Sequence, residues 1–302
     1  MKKLFMFILA CFVFVGCMSS KKATEVKVLT PNGAPALSFI SMYEDIKKDG
    51  EIKIVEGSEL LSSELIKKES DYDVIVAPIN LGCQLIAKGQ TDYRLAGVLT
   101  WGNLYLLENN DVKNNVLAAF GEMAVPGKIF AMIKNSSSIT KNADVTYYNA
   151  VSDVQGQVLS NKCQYALMAE PAASATIAKA KQNGINLKVV ASVQNLYQKQ
   201  TGSTQAGYPQ AAIFVKDKEK TKDMLEQLDD FTNNEAFKDD NQIENYIEKI
   251  GADTFGVPSA NIASQTWANQ NIHYRDAISV KEDIQTLLKQ FHIEYSDEMI
   301  IQ

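Results

Sequence analysis

Residues 72–103 read YDVIVAPINLGCQLIAKGQTDYRLAGVLTWGN. Two β-type runs lie inside this stretch, Asp73-Val74-Ile75-Val76-Ala77-Pro78 and Tyr93-Arg94-Leu95-Ala96-Gly97-Val98-Leu99-Thr100-Trp101. Each stops in residues suited to a loop that faces a ligand. Pro78-Ile79-Asn80 follows the first, and Thr100-Trp101-Gly102-Asn103 ends the second. In open α/β sheets ligands bind outside the carboxyl ends of the strands. The stretch therefore reads as half of a binding cleft.

The segments on either side repeat the alternation. Residues 26–30 are β-like, and residues 36–47 carry Leu37, Ile40, Tyr43 and Ile46 at helical spacing. A strand at 52–55 follows, then a helix capped by Ser58, the strand ending at Pro78, and a helix capped by Asn80 and closed by Gly89. This βαβαβα order predicts a mostly parallel sheet flanked by helices. Residues 93–107 are almost continuously β-type and predict a first crossing between lobes. A second αβ series then runs through β-type segments at 116–120, 144–148, 165–169 and 187–191. Residues 198–207 read as a polar loop, and 208–215 as the returning strand. The remainder is helical, at 218–231, 234–250 and 280–291. The expected organisation is lobe I from 25–107 and 213–302, interrupted by lobe II at 108–212, with two crossover strands and a cleft between the lobes, a common ligand position.

Before residue 25 the chain has another character. Lys2-Lys3 precedes an apolar run over 4–15, too short to span a membrane but suited to a signal peptide of residues 1–16. Residues 17–24 then form a short polar tether. Of the four cysteines, Cys83 and Cys163 remain in the globular part at a spacing that matches no metal or redox motif, in apolar helical contexts that favour two buried thiols. A net charge of −6 gives nucleic-acid binding no electrostatic support. There are two histidines, no nucleophile elbow, no P-loop and no metal-ligand spacing, so neither catalysis, a metal nor a cofactor is expected.

Phe14-Val15-Gly16-Cys17 resembles a bacterial lipobox, with Phe14 where Leu is usual. The resemblance implies cleavage before Cys17 and its lipidation. Asn32-Gly33-Ala34-Pro35-Ala36, residues 73–80, Thr100-Trp101-Gly102-Asn103, Ala169-Glu170-Pro171-Ala172, Tyr208-Pro209-Gln210-Ala211-Ala212 and Asn271-Ile272-His273-Tyr274 together resemble a type II substrate-binding lipoprotein of an ABC importer. The branch is the one that includes nitrate, sulfonate/taurine and thiamine-precursor binders. The resemblance covers the whole mature chain and rests on the order of its motifs. It implies a two-lobed type II periplasmic-binding-protein fold, a small-molecule ligand, permease and ATPase partners, a membrane anchor outside the cytoplasm, and a monomer. A non-transport surface lipoprotein and a lyase on the same fold are the alternatives. Relatives are richer in Gly, Ser or Thr after the position of Gly121, where this chain has Glu122-Met123-Ala124-Val125.

Helix starts near Gly33, Ala34 and Pro35, at Asn80, and at Gly121 and Glu122 offer backbone N–H groups. Trp101 either fills the core between strands or presents a ring face to the ligand. Asn80, Asn103 and Asn149 each carry a donor and an acceptor, and Thr100 and Gly102 flank Trp101. Glu170 either lines the cleft or simply ends its strand in solvent. No Arg or Lys stands at these strand ends, so Glu122 and Glu170 disfavour a compact anion if they face inward. The expected ligand is a planar nitrogen heterocycle such as a thiamine precursor, with a sulfonate or nitrate-type anion as the second choice.

Overall fold

A computed structural model describes residues 25–122, 124–237 and 240–302. The signal peptide, the tether and Cys17 lie outside the described residues. Among the described residues there are eleven strands: β1 (Lys27–Pro31), β2 (Glu51–Val55), β3 (Val74–Pro78), β4 (Arg94–Thr100), β5 (Leu104–Asn109), β6 (Val116–Phe120), β7 (Asp144–Tyr148), β8 (Tyr165–Ala169), β9 (Leu187–Ser192), β10 (Ala211–Val215) and β11 (Ile272–Asp276). They form a six-stranded sheet in the order β11-β4-β10-β3-β1-β2 and a five-stranded sheet in the order β7-β6-β8-β5-β9. Helices flank both.

Each sheet is mixed for the same reason. In the first, β1 pairs in parallel with β2 and β3, while β10 runs antiparallel between β3 and β4. In the second, β6 pairs in parallel with β7 and β8, while β5 runs antiparallel between β8 and β9. Each sheet thus receives one crossing strand against its grain. The other antiparallel member, β11, closes the edge of the first sheet beside β4.

The crossings sit earlier than the sequence suggests. Residues 104–107 were expected in lobe I, yet Leu104 to Asn109 pair only with β8 and β9 of the second sheet. The return was placed after 212, yet Ala211 and Ala212 already pair with Pro78 and Ala77. Runs of similar β-type composition do not reveal which sheet a strand joins; its pairing partners decide that. Three further readings change. The helix expected over 36–47 is two short helices, Ala34–Leu37 and Tyr43–Asp49. The stretch read as a polar loop begins inside a helix, Val193–Thr201, whose Val193, Gln194 and Tyr197 are buried. Asn80 is not a helix cap, because the helix Ile79–Ala87 starts one residue earlier with Pro78 as its cap.

One apolar cluster runs through both sheets. It joins Leu29, Ile75 and Leu95 of the first sheet to Leu106, Leu117 and Leu167 of the second by way of Trp101, Leu104, Tyr197 and Tyr208. Cys83 and Cys163 are both buried free thiols. Burial pushes them up to about 12 and about 11, which leaves them protonated and poorly nucleophilic. No helix among the described residues is long and apolar enough to cross a membrane.

Candidate functional site

The carboxyl ends of β3 and β4, at Pro78 and Thr100, and of β8, at Ala169, lie where the chain passes between the sheets. Trp101, Gly102 and Asn103 make the first passage. The second, through residues 202–210, is laced to it by backbone bonds. Tyr208 N donates to Trp101 O (3.1 Å), Gln210 N to Thr100 O (2.9 Å), and Ile79 N to Gln210 O (3.0 Å). The Thr100 hydroxyl accepts from Ala211 N at 3.0 Å. Asn271, in a left-handed conformation with φ of 53°, donates from Nδ2 to both Trp101 O and Ala206 O at 2.8 Å. Buried Asp283 fixes the same loop by accepting from Ser203 Oγ (2.6 Å) and Thr204 Oγ1 (3.0 Å).

Two glycines are required here. Gly102 has φ of +79°, and a Cβ on it would lie 2.5 Å from the Tyr208 ring. Gly207, with φ of +148°, faces the Trp101 carbonyl so closely that any Cβ would collide with it. Larger residues would force the passages apart.

Trp101 is 2% exposed and donates from Nε1 to His273 O at 2.8 Å, so its ring packs the junction rather than facing solvent. Asn103 is 6% exposed. Its Nδ2 donates to Glu170 O (2.8 Å) and its carbonyl accepts from Glu170 N (2.9 Å), which locks it to the end of β8. Its Oδ1 is buried with no partner, as are Asn80 Oδ1, Gln210 Oε1 and the Tyr208 hydroxyl. Glu170 is 4% exposed. Its carboxylate accepts from Ser174 N (3.1 Å) and Ser174 Oγ (2.8 Å) at the start of the helix Ala172–Gln182. Burial pushes this carboxyl above its ordinary value, against the opposing pull of the Ser174 bonds. The Tyr105 phenol is pushed up to about 12 by burial and then by the charge of Glu170.

Thr100, Trp101, Gly102, Asn103, Asn80 and Glu170 are thus gathered at one junction. The remaining expected residues lie around it. Gly33 has φ of +79° and donates its N–H to Phe255 O at 2.7 Å, so that group is engaged within the protein. Ala34 is buried and Pro35 half-buried in a helix of four residues. Gly121 accepts from Ala124 N and Gly127 N at 3.0 Å, shaping the turn after β6. Glu122 is exposed, and its charge adds to the burial that raises the Tyr147 phenol. Asn149 is exposed at the bend after β7. Among the described residues no hydrogen bond or ion pair joins Glu122 or Asn149 to the junction.

Sequence reasoning missed Gln210 as a site residue, and with it Tyr105 and Asn271. Gln210 lies one residue before β10, where its backbone bonds to two strands at once; only the pairing shows that. No group of three His, Cys, Asp or Glu among the described residues could hold a metal ion.

Solved structures share this fold. An ABC transporter structure from Parabacteroides distasonis superimposes with a TM-score of 0.76 at 21% identity, covering 93% of this chain and 99% of that one. The fold is that of a two-lobed periplasmic binding protein. The periplasmic aliphatic sulphonate binding protein SsuA of Escherichia coli aligns over 93% of both chains, with a TM-score of 0.61 and 13% identity. The alkanesulfonate-binding protein of Xanthomonas axonopodis, bound to MOPS, gives 0.57 and 12%, covering 93% of this chain and 96% of that one. These neighbours share the fold that the sequence motifs imply. No family model and no curated protein matches the sequence.

Proposed function

We propose that this chain is the solute-binding component of an ABC importer. It captures a small molecule between its two lobes and delivers it to a permease and its ATPase. The observation that carries this reading is the junction itself. Buried polar groups without protein partners collect where both chain passages meet the carboxyl ends of strands from both sheets. A fold made of two sheets joined by two short passages suits hinge closure around a ligand.

In this reading Cys17 bears the lipid, and the protein works outside the cytoplasm, held to the membrane by its tether. Two ligand classes are candidates for the cleft: a nitrogen-bearing molecule such as a thiamine precursor, and a nitrate-type anion or a sulfonate, the latter named for the E. coli and Xanthomonas neighbours. The first is supported by the buried acceptors, and no longer by Trp101 as a platform.

The test is to purify the protein from its membrane, denature it, and identify any released small molecule by mass spectrometry. Transport by cells lacking the gene is measured beside it. A stoichiometric small molecule whose uptake depends on the gene is expected. A ligand-free protein whose loss leaves uptake of every solute unchanged would remove the reading. Cys17→Ala should release the protein from the membrane; a variant that stays bound would exclude the lipid anchor.

A further inference from the structure

The solute-binding reading leaves open which of two opposite chemistries the cleft accepts. We infer that it receives a ligand that donates hydrogen bonds and carries positive charge, a protonated amine or amidine, and that it rejects oxyanions. This inference rests on the proposed function above.

Asn103 carries the most weight. Its Nδ2 is engaged by the Glu170 carbonyl, so the atom without a partner is necessarily the carbonyl oxygen, an acceptor only. A buried amide oxygen left without a donor costs about 1–3 kcal/mol. Asn80 Oδ1 and Gln210 Oε1 are also buried without a partner, and no bond fixes which end of either amide faces inward. The three belong to one place: the Gln210 carbonyl binds the N–H of Ile79, next to Asn80, while the Gln210 N–H binds Thr100, three residues before Asn103. The nearby Tyr208 hydroxyl also lacks a partner, but a hydroxyl donates or accepts and so suits either chemistry.

Glu170 adds charge to these acceptors. Its carboxylate is buried, takes only the two Ser174 bonds, and has no Lys or Arg within ion-pair distance among the described residues. Arg94 is bound to Thr91 O and Tyr93 O at the start of β4, the end away from Thr100. A buried carboxylate without a counter-ion is held at a desolvation penalty that an entering cation relieves.

Four donors that an oxyanion would use are engaged within the protein. Gly33 N binds Phe255 O, Ile79 N binds Gln210 O, Glu170 N binds Asn103 O, and Trp101 Nε1 binds His273 O. The junction therefore offers acceptors and negative charge, which repel a sulfonate or nitrate and attract an ammonium.

The test is isothermal titration of the full lipidated chain in detergent, stripped of any resident molecule, with five probes. Benzamidine, 1,4-diaminobutane and guanidinium represent the cations; ethanesulfonate and nitrate represent the anions. At least one cation should bind about tenfold or more tighter than either anion. Glu170→Gln should weaken that cation about tenfold, and the near-isosteric Asn80→Asp should strengthen it several-fold, with unchanged circular dichroism in both. Tighter binding of an anion, or a cation weakened by Asn80→Asp, overturns the inference and leaves the solute-binding reading standing. If no probe binds, the molecule released on stripping decides: a cation supports the inference, and an anion overturns it. With no probe bound and nothing released, both readings fall.

Discussion

At Gly102 a single missing side chain allows the first passage. The residue has φ of +79° and lies against the Tyr208 ring. Gly102→Ala should lower stability by roughly 2–3 kcal/mol, from left-handed strain and overpacking together, measured by urea unfolding. Glu170 acts in the opposite direction. Its folded carboxyl lies above the ordinary value of 4.5, so the folded chain holds that proton more tightly than the unfolded one. Ionised Glu170 therefore destabilises the fold at neutral pH, and this penalty fades as the pH falls through the folded value. Glu170→Gln should raise the melting temperature near neutrality, and the gain should shrink towards pH 4.5. A gain that grew on acidification would contradict the burial argument. The sequence displayed Asn103 and Glu170 as polar residues at strand ends. It did not display that they bind one another, because 67 residues separate them and only the β5–β8 pairing joins them.

Among the elements, the return loop is held most firmly from the side. Asp283, at the start of the helix Lys281–Gln290, accepts from Ser203 and Thr204. Asp283→Ala removes two hydrogen bonds to a charged acceptor and should cost about 2–4 kcal/mol. Amide hydrogen exchange should quicken over residues 202–210 before it quickens in β10. Most strands were legible because each is a short apolar run bounded by turn residues. The elements that were not legible share a physical cause. The helix Val193–Thr201 buries one narrow stripe in a Gln-rich segment, so its periodicity is thin. β11 is polar at alternate positions and short, and it exists because β4 offers it an edge. Asn271, just before it, reverses the chain in a left-handed conformation and ties both passages.

At the scale of the whole molecule, a side-chain bond joins the two lobes beside the passages. Tyr105 of β5 donates its hydroxyl to Asn269 O, at 3.1 Å, in the short helix Trp267–Gln270 that precedes β11. A hydrogen bond of this kind contributes about 0.5–1.5 kcal/mol, so Tyr105→Phe should shift the open–closed balance towards open by up to about tenfold. Small-angle scattering of the unliganded protein should record a larger radius of gyration. An unchanged radius would mean that other contacts hold the lobes. The two-lobed plan was legible from the repeated αβ series, whereas the position of each crossing was not, since Thr100 and Leu104 look alike as strand residues and differ only in the sheet they join.

The apolar cluster that runs through Trp101, Leu104 and Tyr208 has a calorimetric consequence. Two lobes that open and close would be expected to melt as two units. Here a shared interior couples them, because exposing either lobe's share of the cluster strips apolar neighbours from the other. A scanning calorimeter should record one endotherm, with van't Hoff and calorimetric enthalpies in agreement. Two resolved peaks would show that the passages are a hinge in heat as well as in motion. A single peak would mean that this molecule bends at a point where it cannot come apart.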